Sequence, residues 1–214
     1  MLARKAPTPT PPPRIDWSSG NGQEFLRGEL LRSNIPPKYV EATWARCRVE
    51  RPLREYTARL ERHLNAGRGL LMLGPVGTGK SSAAALVAAE VIKLERTVWW
   101  AYVPDLIAEL RDHQKRQSEM TRRQISADLV IWDDFGVGGL APWEIGWLDR
   151  IVEGRYRRNR PMLVTSNMAK RSLQDPELAR LSDRWAERSF VVNISGESMR
   201  RTWRDDQEGA EDGV

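Results

Sequence analysis

The chain has 214 residues, with 34 Lys and Arg against 29 Asp and Glu and a net charge of +5, enough for one compact domain with short appendages. All but six of the basic residues are arginine, whose planar, permanently charged fork favours phosphate and carboxylate partners. The single cysteine, Cys47, excludes an intrachain disulfide framework or a cysteine zinc site, and no apolar run reaches membrane-spanning length; with no signal-peptide core at the N-terminus, a cytoplasmic setting is expected.

Residues 1–20 are expected to form a disordered arm, because Pro7, Pro9, Pro11, Pro12 and Pro13 remove backbone donors and favour extended geometry. Gln23–Arg32 reads as a short helix, broken by Asn34-Ile35-Pro36-Pro37. Tyr39–Arg46 and Leu53–Asn65 read as helices, the second closed by Gly67-Arg68-Gly69. Gly69–Leu73 is a short apolar run suited to a buried strand. After the glycine-rich stretch Gly74–Ser81, an alanine-rich helix former runs to about Leu94. Thr97–Val103, β-branched and aromatic, reads as a strand, and Pro104-Asp105 opens a helix toward Arg111.

His113–Arg123 is a charged stretch carrying Lys115, Arg116, Arg122 and Arg123. Leu129–Trp132 reads as a strand ending in Asp133-Asp134, and Pro142–Arg158 as a helix with Trp143, Trp147, Leu148, Ile151 and Val152 on one apolar face. Pro161–Thr165 reads as a strand ending in Ser166-Asn167, Glu177–Arg188 as a helix and Phe190–Ile194 as the last strand; an acidic tail begins at Asp205. Strands alternating with helices predict a parallel sheet covered on both faces. Five of the nine tryptophans (Trp99, Trp100, Trp132, Trp143 and Trp147) fall on predicted core faces, whereas Trp17 and Trp203 fall outside and are candidates for partner contacts.

The stretch Gly74-Pro75-Val76-Gly77-Thr78-Gly79-Lys80-Ser81 reads G-x-x-x-x-G-K-S and is followed by Ser82. Its glycines let backbone N–H groups turn around a phosphate chain, Lys80 can reach the β- and γ-phosphates, and Ser81 can ligate Mg²⁺. The following helix aims its positive end at the same anion. Asp133, at a strand end, suits Mg²⁺, and Asp134 suits orienting or deprotonating an attacking water. A polar side chain at Asn167 can meet the γ-phosphate or that water. Arg180, Arg184 and Arg188 are spaced four apart on one predicted helix and share a face; they and Arg200 are candidates to stabilise transition-state charge.

In order and spacing these motifs resemble the DnaC/IstB group of AAA+ ATPases, which includes bacterial helicase loaders and a transposition helper. The resemblance covers residues 35 to about 201 and rests further on Ile35-Pro36-Pro37, Glu153-Gly154-Arg155-Tyr156, Arg180-Leu181-Ser182-Asp183-Arg184 and Ser198-Met199-Arg200. It implies an α/β fold of the AAA+ αβα type: an ATPase core at 67–204, a helical N-terminal extension at 21–66 and an acidic tail at 205–214. It implies ATP and Mg²⁺ as cofactors, slow hydrolysis, and a homo-oligomer in the ATP state with nucleotide between subunits. Asn167 would be the sensor 1 residue, Arg184 the arginine finger reaching a neighbour's ATP, and Arg200 the sensor 2 arginine. Ile35–Tyr39 would flank the adenine.

The partners it implies are a replicative helicase and DNA, single-stranded before duplex, with Lys115, Arg116, Arg122 and Arg123 near phosphates. The alternatives are a helper acting on duplex DNA with a transposase, and a small-molecule kinase, which would need an acceptor site and a lid. Three features depart from the group: Asp134 where most AAA+ proteins carry Glu, the bulky Trp132 in the strand before it, and a short, cysteine-free region before residue 35 that leaves Phe25–Leu31 and the proline arm to dock a helicase.

Overall fold

The computed structural model describes residues 15–112, 117–136, 139–169 and 175–199. Five parallel strands form one sheet in the order β2-β3-β4-β1-β5: β1 Gly69–Leu73, β2 Val98–Tyr102, β3 Leu129–Phe135, β4 Met162–Ser166 and β5 Ser189–Asn193. Alternate residues of each strand face opposite sides, and the apolar clusters follow that alternation. Leu70, Met72, Leu129 and Ile131 join one cluster; Leu71, Leu73, Val130 and Trp132 join the other.

The first cluster is covered by α1 (Gly20–Arg32), α2 (Pro37–Val40), α3 (Glu50–Thr57), α4 (Leu60–Asn65) and α5 (Lys80–Lys93). The second is covered by α6 (Val103–Asp112), α7 (Gln117–Ser126), α8 (Pro142–Tyr156) and α9 (Ala179–Arg188). The αβα expectation therefore holds. Leu26, Leu53 and Leu64 of the N-terminal helices share a single cluster with Leu70 and Val91. Among the described residues, no helix is long and apolar enough to cross a membrane.

Several local expectations are corrected. Residues 15–20 are structured: Ser19 caps α1 by accepting the Gly22 N–H at 3.1 Å, and Trp17 lies against Phe25 at 6.0 Å between centroids; the arm up to residue 14 lies outside the described residues. Pro37 starts α2 at its first position, and the helix stops before Thr43, which is extended. The expected helix at 53–65 is two, separated at Ala58-Arg59. Part of the charged stretch is helical, as α7, while Lys115 and Arg116 lie outside the described residues, as do Trp203 and the acidic tail. Trp143 is no core residue: in the first turn of α8 it is 51% exposed.

The motif Glu153-Gly154-Arg155-Tyr156 has a structural explanation. Arg155 is fully buried. Its guanidinium donates to the carbonyls of Gln124 (2.6 Å), Ala127 (2.9 Å) and Pro161 (2.5 Å), with longer bonds to Ile125 and Asp128. The carbonyls at the end of α7 have no partner within their helix, and Arg155 supplies one while tying that end to the amino ends of β3 and β4. Burial lowers its pKa to about 9, so it stays charged at neutral pH. Arg155→Ala strands several buried carbonyls at about 1–3 kcal/mol each. We expect a loss of at least about 3 kcal/mol, read as a lower urea midpoint, with little recovery in Arg155→Lys because an ammonium lacks the fork.

Candidate nucleotide-binding site

The carboxyl ends of β1, β4 and β3 meet in register, Leu73 beside Ser166 and Ser166 beside Phe135. This is the edge of a parallel sheet at which ligands bind. The glycine-rich loop leaves β1 here, with the Gly74 N–H donating to the Ser166 carbonyl at 3.2 Å. Gly77 and Gly79 hold φ of 82° and 92°, left-handed backbone that side chains disfavour. Gly79 is the N-cap of α5. A β-carbon on Gly77 would collide with the Ser198 hydroxyl, and the Met199 N–H donates to the Gly77 carbonyl at 2.9 Å. Lys80 Nζ donates to the carbonyls of Gly74 (2.7 Å) and Pro75 (2.8 Å), and the Thr78 hydroxyl to Pro75 (2.9 Å). The loop is thus curled around its own lysine at the positive end of α5, with Val76 exposed at its tip and Ser82 in the first turn.

One oxygen of the buried Asp133 accepts two hydroxyls, Ser81 from α5 at 2.8 Å and Thr165 from β4 at 2.7 Å. Thr165 Oγ1 in turn accepts the Asp134 N–H at 3.0 Å. Thr165 therefore fixes both acids. Asp134 has φ 57° at an irregularity in the β3–β4 pairing between Trp132 and Phe135, a strained conformation for a non-glycine residue. Burial raises the Asp133 pKa; the Thr165 and Ser81 bonds and the charge of Lys38 oppose the rise, and Asp134 adds to it.

The donor set fits Mg²⁺. Ser81 and Asp133 offer hard oxygens 2.8 Å apart, close to the roughly 3 Å between adjacent ligands of an octahedral Mg²⁺. Among the described residues no group of three or more His, Cys, Asp or Glu side chains could form a cage of its own, so the other positions would fall to phosphate and water oxygens.

Asn167 follows Ser166 at the end of β4 and is exposed. Its turn is tied down by Ser166, whose hydroxyl donates to the Phe135 carbonyl (2.8 Å) and accepts the Met168 N–H (3.1 Å). Arg184 is elsewhere. On α9 it pairs with Asp149 of α8 at 2.5 Å and with Glu153, and it lines a small cavity with Gly67, Met162 and Ser189 near the amino ends of β1, β4 and β5. The shared arginine face is therefore not a uniform one: Arg180 is exposed, and Arg188 lies over the Tyr156 ring at 4.8 Å and beside Glu187. Arg200 lies outside the described residues.

Two site residues escaped the sequence reading. Thr165 was visible only as part of a polar strand end. Lys38 follows the proline pair, and its charge acts on both Asp133 and Tyr102. Trp132, the bulky departure, is explained: its N–H donates to Gln124 at 2.8 Å, and its ring packs with Phe135 and Trp185.

The family model described as IstB-like ATP binding protein matches residues 57–207. A putative insertion sequence ATP-binding protein, y4pL, of Sinorhizobium fredii is 30% identical over 148 residues, 66% of this chain and 60% of that protein. The replicative helicase loader DnaC of Escherichia coli is 26% identical over 152 residues, 64% of this chain and 60% of that protein. The match thus spans about three fifths of the length of these relatives. The crystal structure of the DnaC helicase loader superposes with a TM-score of 0.66 over 75% of this chain and all of that one, at 17% identity, a likeness of fold.

Gly77→Ala places a β-carbon where Ser198 lies, on backbone that disfavours it. We expect at least about a tenfold loss of affinity for a fluorescent ATP analogue, equivalent to about 1.4 kcal/mol. The melting temperature should fall by a few degrees, because the same clash and positive φ strain the folded loop by about 1–3 kcal/mol.

Proposed function

The chain belongs to the family of IstB-like ATP-binding proteins, and on that premise we propose that it is a slow, switch-like ATPase that assembles in its ATP state and engages DNA in the cytoplasm. The observation that carries this reading is the Asp133 oxygen shared by Ser81 and Thr165, which ties the phosphate loop, the acidic strand end and the Asn167 turn into one unit.

Each side chain has a task in this reading. Lys80 exchanges the Gly74 and Pro75 carbonyls for phosphate oxygens. Ser81 and Asp133 would hold Mg²⁺, which would supply positive charge to neutralise the phosphates. Asp134, aimed by the Thr165 bond, orients the attacking water. Asn167 meets the γ-phosphate, and Arg200 assists from the same chain. Arg184 acts on a neighbour's triphosphate, leaving Asp149 and Glu153 to do so. Assembly then depends on the nucleotide, because ATP and its products differ in their hold on the neighbour.

Two roles fit such a switch. The family match, and the higher identity to an insertion-sequence protein than to the helicase loader, favour a transposition helper on duplex DNA with a transposase partner. The DnaC relative and the likeness of fold support the second reading, a loader that engages single-stranded DNA and a replicative helicase.

Three variants test the shared mechanism. Lys80→Ala should show no Mg·ATP uptake by calorimetry. Asp134→Asn should bind ATP with turnover lowered about a hundredfold or more. Arg184→Ala should lose turnover to at least that degree and regain part of it on mixing with Asp134→Asn subunits, because the two defects then occupy different sides of a shared site. No recovery on mixing would rule out a finger acting between subunits.

A further inference from the structure

In the second helical layer, α7 and α8 enclose a groove of about 610 Å³. Among the described residues four arginines line it: Arg122 from α7, Arg150 from α8, and Arg158 and Arg160 just beyond α8. No carboxylate among the described residues lines it. Among the described residues, Arg122 and Arg150 carry no ion pair, and Arg158 bonds only the Gly154 carbonyl, at 2.9 Å. Arg160 shares Asp128 at 3.1 Å. By contrast, Arg27, Arg51 and Arg54 on the N-terminal helices each hold a glutamate. A concave surface that gathers unneutralised guanidinium groups raises the local concentration of polyanions.

The remaining lining narrows the partner. Ser118, Thr121 and Ser126 add hydroxyls, which suit phosphodiester oxygens. The one aromatic among the described lining residues, Trp147, is buried to 2% exposure with its N–H committed to Thr121 at 3.1 Å. The described lining therefore offers no aromatic face on which an unpaired base can stack, the contact that holds single strands. We propose that the α7–α8 groove takes the sugar–phosphate backbone of duplex DNA, with Arg122, Arg150 and Arg158 as the principal contacts. Ten residues of α7 extend about 15 Å, room for about four base-pair steps. Arg155, fastened to the end of α7, keeps the two walls in fixed relation. This inference deepens the DNA-engaging part of the function proposed above.

The test is fluorescence anisotropy of the full chain with a duplex of about 30 base pairs and with its single strand, between about 50 and 200 mM salt. The wild-type chain should bind the duplex more tightly than the single strand. The triple variant Arg122→Gln, Arg150→Gln, Arg158→Gln should lose at least about tenfold in duplex affinity, and its salt dependence should flatten by about one unit of log–log slope per arginine. A control of equal charge, Arg27→Gln with Arg51→Gln and Arg54→Gln, should stay within about twofold of wild type. The groove is refuted by a triple variant that binds duplex like wild type, by an equal loss in the control, or by preference for the single strand. Calorimetry with Mg·ATP on the same proteins separates the two questions: normal ATP uptake with unaltered DNA binding refutes the groove alone, and absent ATP uptake in the wild-type chain refutes the nucleotide reading alone.

Discussion

One carboxylate oxygen organises the upper edge of the sheet. Asp133 is withdrawn from water, and a charge there is costly unless it is hydrogen-bonded. Its two partners come from elements far apart in the chain, Ser81 on the phosphate-loop helix and Thr165 on β4, and charge-assisted bonds of this kind are stronger than neutral ones. Thr165 also takes the Asp134 N–H, so the same hydroxyl that steadies the buried acid sets the strained turn of the second. A displacement of β4 moves Asp133, Asp134 and Asn167 together, and through Ser81 it reaches the loop around Lys80. The site is therefore a single mechanical unit.

The lower edge of the sheet is organised by a charge of the opposite sign. Arg155 replaces its lost hydration with carbonyls from the end of α7 and the starts of β3 and β4. Between the two anchors the strands are apolar on both faces, which supplies adhesion but little register. The polar groups at the ends add the directional bonds. This division explains a fully buried arginine in a motif that, from spacing alone, could have belonged to the nucleotide site.

What the sequence made legible follows from how local each signal is. The phosphate loop, its strand and its helix are specified within some 25 residues of chain, and the apolar runs of β1, β3 and β4 mark buried parallel strands without further context. Polar α7 has no apolar stripe of its own; Arg155, thirty residues later, completes its end. The break between α3 and α4 carries no glycine or proline at Ala58-Arg59, and the two pieces take separate directions so that Tyr56 can donate to the Arg68 carbonyl while Leu60 and Leu64 reach the core. The turned backbone at Asp134 depends on a hydroxyl from another strand. Trp143 has the period of a core residue, yet in the first turn of its helix it is exposed while its neighbours Leu140 and Ile145 pack on the second cluster.

Helix α8 connects these observations. Asp149 and Glu153 are four residues apart and so share the face toward α9, where both hold Arg184. Arg150 lies about a third of a turn away, on the side of α7 and the groove. One helix thereby presents acids to the arginine that would serve a neighbouring subunit, and cations to the surface that would meet DNA. The acids and Arg184 are partly exposed, so each pair is worth roughly 1 kcal/mol. That is firm enough to keep Arg184 ordered in a lone chain and weak enough to yield to a more highly charged triphosphate. Because Arg155 fixes the lower end of α8 to the sheet, the proposed release of Arg184 would move the side chain and leave the scaffold in place. On the function proposed above, the groove would already be formed before assembly, and nucleotide-dependent contacts between subunits would govern how many such grooves are brought into line along one duplex.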